Sequence, residues 1–566
     1  MQQTFENYEY VRPEIGTMAT EAREQLAQFQ AATTVEQQIA IIEQLNDMMA
    51  EFSTQSNIVY IRASIDTNDA FYQAERDFID EVGPRVEDIT TDYYKALVAS
   101  PFRPQLEERF GKQLFDLADY QIKAFSPEII ELLMKENKLS SDYSKLVASA
   151  QIDYKGETYT LAQMGAFAES TDRTVREEVM QLRTAFFEQH EAEFDRLYDE
   201  LVKVRHEIAT TLGYNNFVEL GYIRMNRVDY DADMVKKFRD QVRDFIVPIS
   251  QKLYARQAER IGVDTLKFYD EALAFTTGNA TPQGDAAWIV ENGRNMYKEM
   301  SPETHEFFEF MIERNLMDLE AKKGKEGGGY CTFIDNYKSP YIFSNFNGTS
   351  GDIDVLTHEA GHAFQVYRSR DLGIPEYLWP TYESCEIHSM SMEFLAWPWM
   401  ELFFGEQVEK YKFSHLAGAL QFLPYGVAVD EFQHVVYENP NMTPQERKQA
   451  WRDIEKTYLP QRDFDGLTYL ENGGFWHRQG HIFNSPFYYI DYTLAQICAF
   501  QFWKRSREDF DGAWKDYLHL CDLGGSKSFT QLVKEAVLIS PFEDGCVESV
   551  IGTIEGYLNS VDDKAL

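Results

Sequence analysis

Two histidines stand four residues apart, at His358 and His362, with Glu359 directly after the first. On an α-helix that separation is just over one turn, a rise of about 6 Å, so both imidazoles leave the same face. The flanks make a helix the expected state. Ile353, Leu356, Ala360, Ala363, Phe364 and Tyr367 recur at three- and four-residue spacing, the pattern of an amphipathic helix set against a core. Asp352 and Thr349 are the candidate caps for its start. A helix that turned two imidazoles inward with nothing to bind would bury polar rings without compensation. One divalent ion resolves this, because imidazole nitrogens ligate Zn²⁺ at about 2.0–2.1 Å. Glu359 lies about 100° round the helix from His358. There a carboxylate can take a proton from an attacking water.

A catalytic zinc uses three protein ligands and leaves one position open. In one large class of sites the third ligand is a histidine six residues after the second, with a glycine between. Gln365 and Arg368 hold those positions here, so that class is excluded. A carboxylate from the following acid-rich segment remains, and Glu376, Glu383, Glu386 and Glu393 compete. Glu386 and Glu393 are seven apart, two turns on one face, so one can bind metal while the other supports the site. Periodicity alone leaves Glu386 and Glu383 both open.

The run from Glu386 to Glu393 after a His-Glu-Ala-Gly-His motif resembles the thimet oligopeptidase and oligoendopeptidase F family of zinc peptidases. A second block agrees: Phe475 to Phe483, including Arg478, Gln479 and His481, running into Pro486–Tyr492. It resembles the bacterial, Pz-peptidase-like branch. The similar blocks span residues 341–492. The resemblance implies one Zn²⁺ per chain held by His358, His362 and Glu386, with Glu359 as general base. It also implies that His481 and Tyr492 donate to the oxyanion, with Tyr489 nearby against substrate. Donors are needed in any case, since removing a single well-placed one typically costs about 2.7–4 kcal/mol of transition-state stabilisation. Tyr489 and Tyr492 are three apart and expected on one helix face, in a helix capped by Ser485 with Pro486 first. Tyr488 is expected to pack. Asp354, one turn before His358, and Glu393 are candidates to orient the His358 ring. His388 is expected to pack, and His477 is open between a supporting and a surface role.

Residues 341–346 read as a short strand ending in the Asn347-Gly348 turn. As an edge strand it would pair with substrate backbone through Ser344, Asn345 and Phe346. The glycine-rich stretch Gly324–Tyr330 lacks a phosphate-loop ending and is expected to flank the cleft.

Net charge is −39 (54 basic, 93 acidic residues), which repels nucleic acid and anionic membranes. The five cysteines are scattered and never in a Cys-x-x-Cys pair, which suits a reducing compartment. Met1–Glu6 lacks the basic and apolar parts of a secretory leader, and no run of 18 apolar residues exists. A cytoplasmic protein acting on short peptides is expected, with neither nucleic acid nor membrane as partner.

Helical signals dominate elsewhere. Thr34–Gln37 reads as a capping box, and Ser301-Pro302 and Thr443-Pro444 as caps with proline at the first position. A hairpin is expected about Lys155-Gly156. The expected fold is mainly α, with a small β-sheet beside the motif helix. The resemblance implies two helical lobes enclosing a deep channel. Residues 1–165 would form a helical N-terminal wall and 166–566 the catalytic region. Two rivals stand against an endopeptidase: a zinc aminopeptidase, and a non-catalytic acidic helical protein that binds peptides.

Overall fold

The computed structural model describes residues 3–566. Helices Ile15–Ala31, Val35–Ile65, Ala70–Val98 and Lys112–Ala124 close on a core of their own around Ile42, Leu45, Leu97, Leu114 and Phe115. Capping sets their starts. Thr34 accepts a hydrogen bond from the Gln37 amide, and the Gln37 side chain accepts one from Thr33. The larger core joins the remaining helices and contains the apolar stripe of the motif helix.

Strands are few among the described residues. β1 (Ile152–Tyr154) and β2 (Glu157–Tyr159) form the expected hairpin. Lys155 (φ 51°) and Gly156 (φ 87°) take the left-handed conformations that a two-residue turn requires. β3 (Met317–Glu320), β4 (Tyr330–Ile334) and β5 (Ser339–Phe346) form one sheet in the order β3-β5-β4. β5 runs parallel to β3 and antiparallel to β4. It is therefore the central strand and not the expected edge, and Ser344, Asn345 and Phe346 are not among the cavity walls. Asn345 instead donates to the Glu326 and Gly328 carbonyls, which holds the glycine-rich loop against the sheet. β4 and that loop face the cavity.

The motif helix, Gly351–Ser369, follows β5 directly. Neither expected cap closes it, since Ser350 precedes it without a side-chain bond. Asp352 lies inside the first turn and accepts from the Asn347 and Gly348 amides, while the Thr349 hydroxyl bonds to Asn347. The carboxylate thus ties the end of the sheet to the helix.

Three helices complete the surroundings: Tyr382–Leu395, Val408–Glu438 and Tyr489–Glu508. The first crosses the motif helix at Gly361. A Cβ there would lie 2.6 Å from the His388 carbonyl oxygen and 2.7 Å from the Ser389 Cα. Those are backbone atoms that no rotamer change can clear, so the close approach depends on glycine. Gly361→Ala is expected to destabilise the fold by about 1–3 kcal/mol through overpacking, despite alanine's better helix propensity of about 1 kcal/mol. Thermal unfolding of the variant checks this, and an unchanged melting temperature would refute the crowding argument.

Candidate metal centre

His358 Nε2 lies 3.1 Å and His362 Nε2 3.3 Å from Glu386 Oε2. All three ligand atoms fall within 4.8 Å of one another. Four ligands set tetrahedrally at 2.0–2.1 Å from one ion are about 3.3–3.4 Å apart, so the donor set fits a zinc-sized cation. The two rings stand 4.9 Å apart and 83° to each other, as one turn of helix requires.

The neighbours fix which nitrogen faces the centre. Trp397 Nε1 can only donate, and does so to His415 Nδ1 at 3.0 Å. His415 Nε2–H then donates to Glu393 Oε2 at 2.8 Å. The other oxygen of Glu393 accepts from His358 Nδ1–H at 2.7 Å, which leaves the Nε2 lone pair of His358 toward the centre. Burial alone would raise the Glu393 carboxyl, but the two imidazoles outweigh it and hold it below its ordinary value. Asp354 does not share this task. Its carboxylate accepts from the Tyr411 hydroxyl at 2.7 Å instead.

Glu386 is buried, with Ser389 Oγ on Oε2 at 2.8 Å and the Tyr488 hydroxyl on Oε1 at 2.5 Å. Tyr488, expected as packing, thus holds the carboxylate in place. Glu359 is buried one turn-face away, its Oε2 without a partner. Burial raises its pKa against the lowering effect of His358 and His362. Gly329 leaves room beside it, because a Cβ at that residue would lie 3.3 Å from Glu359 Oε1.

His481 Nε2 and the Tyr492 hydroxyl are 3.1 Å apart. The Tyr425 hydroxyl donates to Gln479 Oε1 at 2.7 Å, and the Gln479 amide in turn meets His481 Nδ1 at 2.8 Å. The Nε2–H of His481 is therefore its donor. Desolvation pushes this imidazole down to about 4, so it is neutral through the physiological range. Tyr489 packs edge-on to both His481 and Tyr492, with ring centroids 5.0 and 5.3 Å away.

The helix bearing these tyrosines starts at Tyr489, later than the sequence suggests, and Ser485 does not cap it. Phe487 interrupts it with φ 66°, a conformation that a bulky residue adopts only under constraint. The constraint is visible. The buried Arg227 donates to the Phe487 carbonyl at 2.6 Å and to Asp491 at 2.7 Å. Gln433 accepts from the Phe487 amide at 2.8 Å. The Phe487 ring occupies the space above Gly221, where a Cβ would lie 2.5 Å from it. His388 is fully buried, as expected. His477 is buried too, bonded to Tyr469 at 2.7 Å and Asp195 at 3.0 Å, so it has no surface role.

A cavity of about 1100 Å³ holds Glu359, the three candidate ligands, Tyr488 and Tyr492. A second, of about 440 Å³, lies on the other side and shares His358, His481 and Tyr492 with the first.

The chain is a peptidase. Residues 166–550 match the family described as Peptidase family M3, and residues 5–125 match the Peptidase M3 N-terminal domain. The chain belongs to peptidase family M3. It is 63% identical to a Pz peptidase A solved with an inhibitor, over 99% of this chain and 100% of that one, with a TM-score of 0.98. A structure described as oligoendopeptidase F from Bacillus anthracis is 56% identical, covering 100% and 99%, with a TM-score of 0.94. An oligoendopeptidase F homolog of Borreliella burgdorferi is 22% identical over 421 residues, 69% of this chain and 68% of that protein. No helix among the described residues is long and apolar enough to cross a membrane.

Proposed function

We propose that the chain is a zinc-dependent endopeptidase of short, unfolded peptides. The observation that carries this reading is the convergence of His358, His362 and Glu386 within 4.8 Å, beside the unpartnered Glu359 carboxylate. Zinc at that place would polarise the scissile carbonyl and bring the attacking water's pKa to about 7. Glu359 takes the water's proton and passes it to the departing amine, and its raised pKa suits both halves of that task. The Tyr492 hydroxyl and the Nε2–H of His481 hydrogen-bond the developing oxyanion. Glu393 fixes the His358 tautomer, and Tyr488 and Ser389 hold Glu386.

In the same reading, residues 1–165 form a channel wall, supported by Tyr60, Gln121, Tyr143 and Leu161 at the cavity. A cavity of about 1100 Å³ has room for a short extended chain and not for a folded protein. A cytoplasmic location is supported by five cysteines without a disulfide. Product analysis of peptides of graded length, each with a free and an acetylated N-terminus, tests the reading. An endopeptidase cuts both forms, whereas exclusive cutting of the free form identifies an aminopeptidase.

Tyr492→Phe is expected to lower kcat by about 10²–10³ while changing KM little, because the hydroxyl acts only on the transition state. Steady-state kinetics on a quenched peptide check this, and an unaltered kcat reduces Tyr492 to packing.

A further inference from the structure

Among the described residues, three on the walls of the two cavities carry a buried polar atom without a partner: Glu359, Gln496 and Ser414. The Glu359 carboxylate is free for the attacking water. Gln496 Nε2 and Ser414 Oγ belong to the smaller cavity and have no such explanation. Gln496 is 4% exposed, and a buried amide without a partner costs free energy until something completes it.

The smaller cavity lies between two helices. Tyr489, Tyr492 and Gln496 line it from one face of the helix Tyr489–Glu508, at three- and four-residue spacing. Ser414, Gly418 and Phe422 line it from the helix Val408–Glu438. Its volume of about 440 Å³ falls among ligand-holding clefts, which run from about 300 to 1,000 Å³. No lysine or arginine lines it. Its two carboxylates are engaged already, Asp354 by Tyr411 and Glu393 by His358 and His415. The space therefore suits an uncharged occupant that can form hydrogen bonds. It is also open beside Gly418, where a Cβ would meet nothing within 4 Å.

The spacing along the helix says which groups such an occupant presents. Gln496 stands one turn beyond Tyr492, a rise of about 6 Å. In an extended peptide, carbonyls that face the same way recur every second residue, about 6.6–6.8 Å apart. A peptide laid along this face with its scissile carbonyl at the Tyr492 hydroxyl brings the carbonyl two residues away to Gln496. The glutamine amide carries two N–H donors beside its oxygen, and its last torsion is soft enough to aim them at the cavity.

We propose that Gln496 binds the substrate main chain, its amide donating to the peptide carbonyl two residues from the scissile one. This rests on the endopeptidase reading and adds to it what is recognised: an extended, uncharged backbone that reaches at least two residues from the cleavage point into the smaller cavity. Recognition through a main-chain carbonyl leaves the side chain at that position free to vary.

The test begins with Gln496→Met, which keeps the length of the side chain without its hydrogen bonds. Because the Nε2 donor is unpartnered in the free chain, the melting temperature should hold or rise while kcat/KM falls about tenfold, the effect of one lost hydrogen bond. A melting temperature that falls with activity assigns Gln496 to packing and overturns the proposal. The register is read with an N-acetylated peptide in which one carbonyl at a time is made a thiocarbonyl, a poorer acceptor, one or two residues to either side of the cleaved bond. Product masses fix the cleavage site. A thiocarbonyl two residues away, on one side, should weaken kcat/KM severalfold in wild-type protein and have no effect in Gln496→Met. A thiocarbonyl one residue away should act alike on both proteins. Identical responses of the two proteins at every position overturn the proposal. Gly418→Leu fills the cavity from its open side, and an unchanged kcat/KM in that variant overturns it as well. Calorimetry of the same peptides on Glu359→Gln protein, with and without Gln496→Met, separates this proposal from the reading beneath it. Coupling of Gln496 to the distant carbonyl in binding, without any cleavage by wild-type protein, would keep the backbone site and sink the endopeptidase reading instead.

Discussion

Glu359→Gln is expected to leave a folded, zinc-loaded protein whose turnover has fallen by about 10²–10⁴, the usual contribution of a general base. Glutamine keeps the size of the side chain, so neither the space beside Gly329 nor the ligand geometry should change. Only the capacity to accept a proton is lost. Glu359 is placed for that capacity and for little else, since its Oε2 is buried with no hydrogen-bond partner. Measuring turnover, metal content and melting temperature on one preparation separates the possibilities. Wild-type turnover removes Glu359 from the chemistry, and loss of zinc would show that it acts on the ligands.

Chelation is expected to abolish peptide hydrolysis and to lower the melting temperature, with both restored by stoichiometric zinc. The stability effect follows from mass action: a ligand present at a hundredfold excess over its Kd stabilises the native state by about 2.7 kcal/mol. It should be felt between the motif helix and the helix Tyr382–Leu395, which the three donors join. Calorimetry with elemental analysis measures both effects. Full hydrolysis by protein that contains no metal would overturn the proposed function.

The motif helix was legible in the sequence because everything that defines it is local: a stripe of apolar residues and two imidazoles one turn apart. The third ligand was less so. Helical spacing admitted both Glu383 and Glu386, and only the resemblance of the surrounding block chose between them. In the structure, Glu386 faces the two histidines. Glu383 instead bonds to Thr381 and lies among the groups around Arg227. What the sequence hid depends on long-range contacts. Tyr488 reaches Glu386 from 102 residues away, and Arg227 reaches Phe487 from 260. β5 was recognisable as a strand, but its place in the middle of the sheet depends on β3 and β4 flanking it. The same limit explains Asp354, whose spacing suits a bond to His358 although Tyr411, on another helix, takes its carboxylate.

The contact between Phe487 and Gly221 has a consequence for how this enzyme tolerates sequence drift. Position 221 is not among the cavity walls, and its glycine is the only residue small enough for the aromatic ring seated there. Any larger replacement would dislodge that ring, and with it the turn that aims Tyr488, Tyr489 and Tyr492 at the cleft. Catalytic fitness in this lineage is thus hostage to a silent-looking site far upstream in the gene.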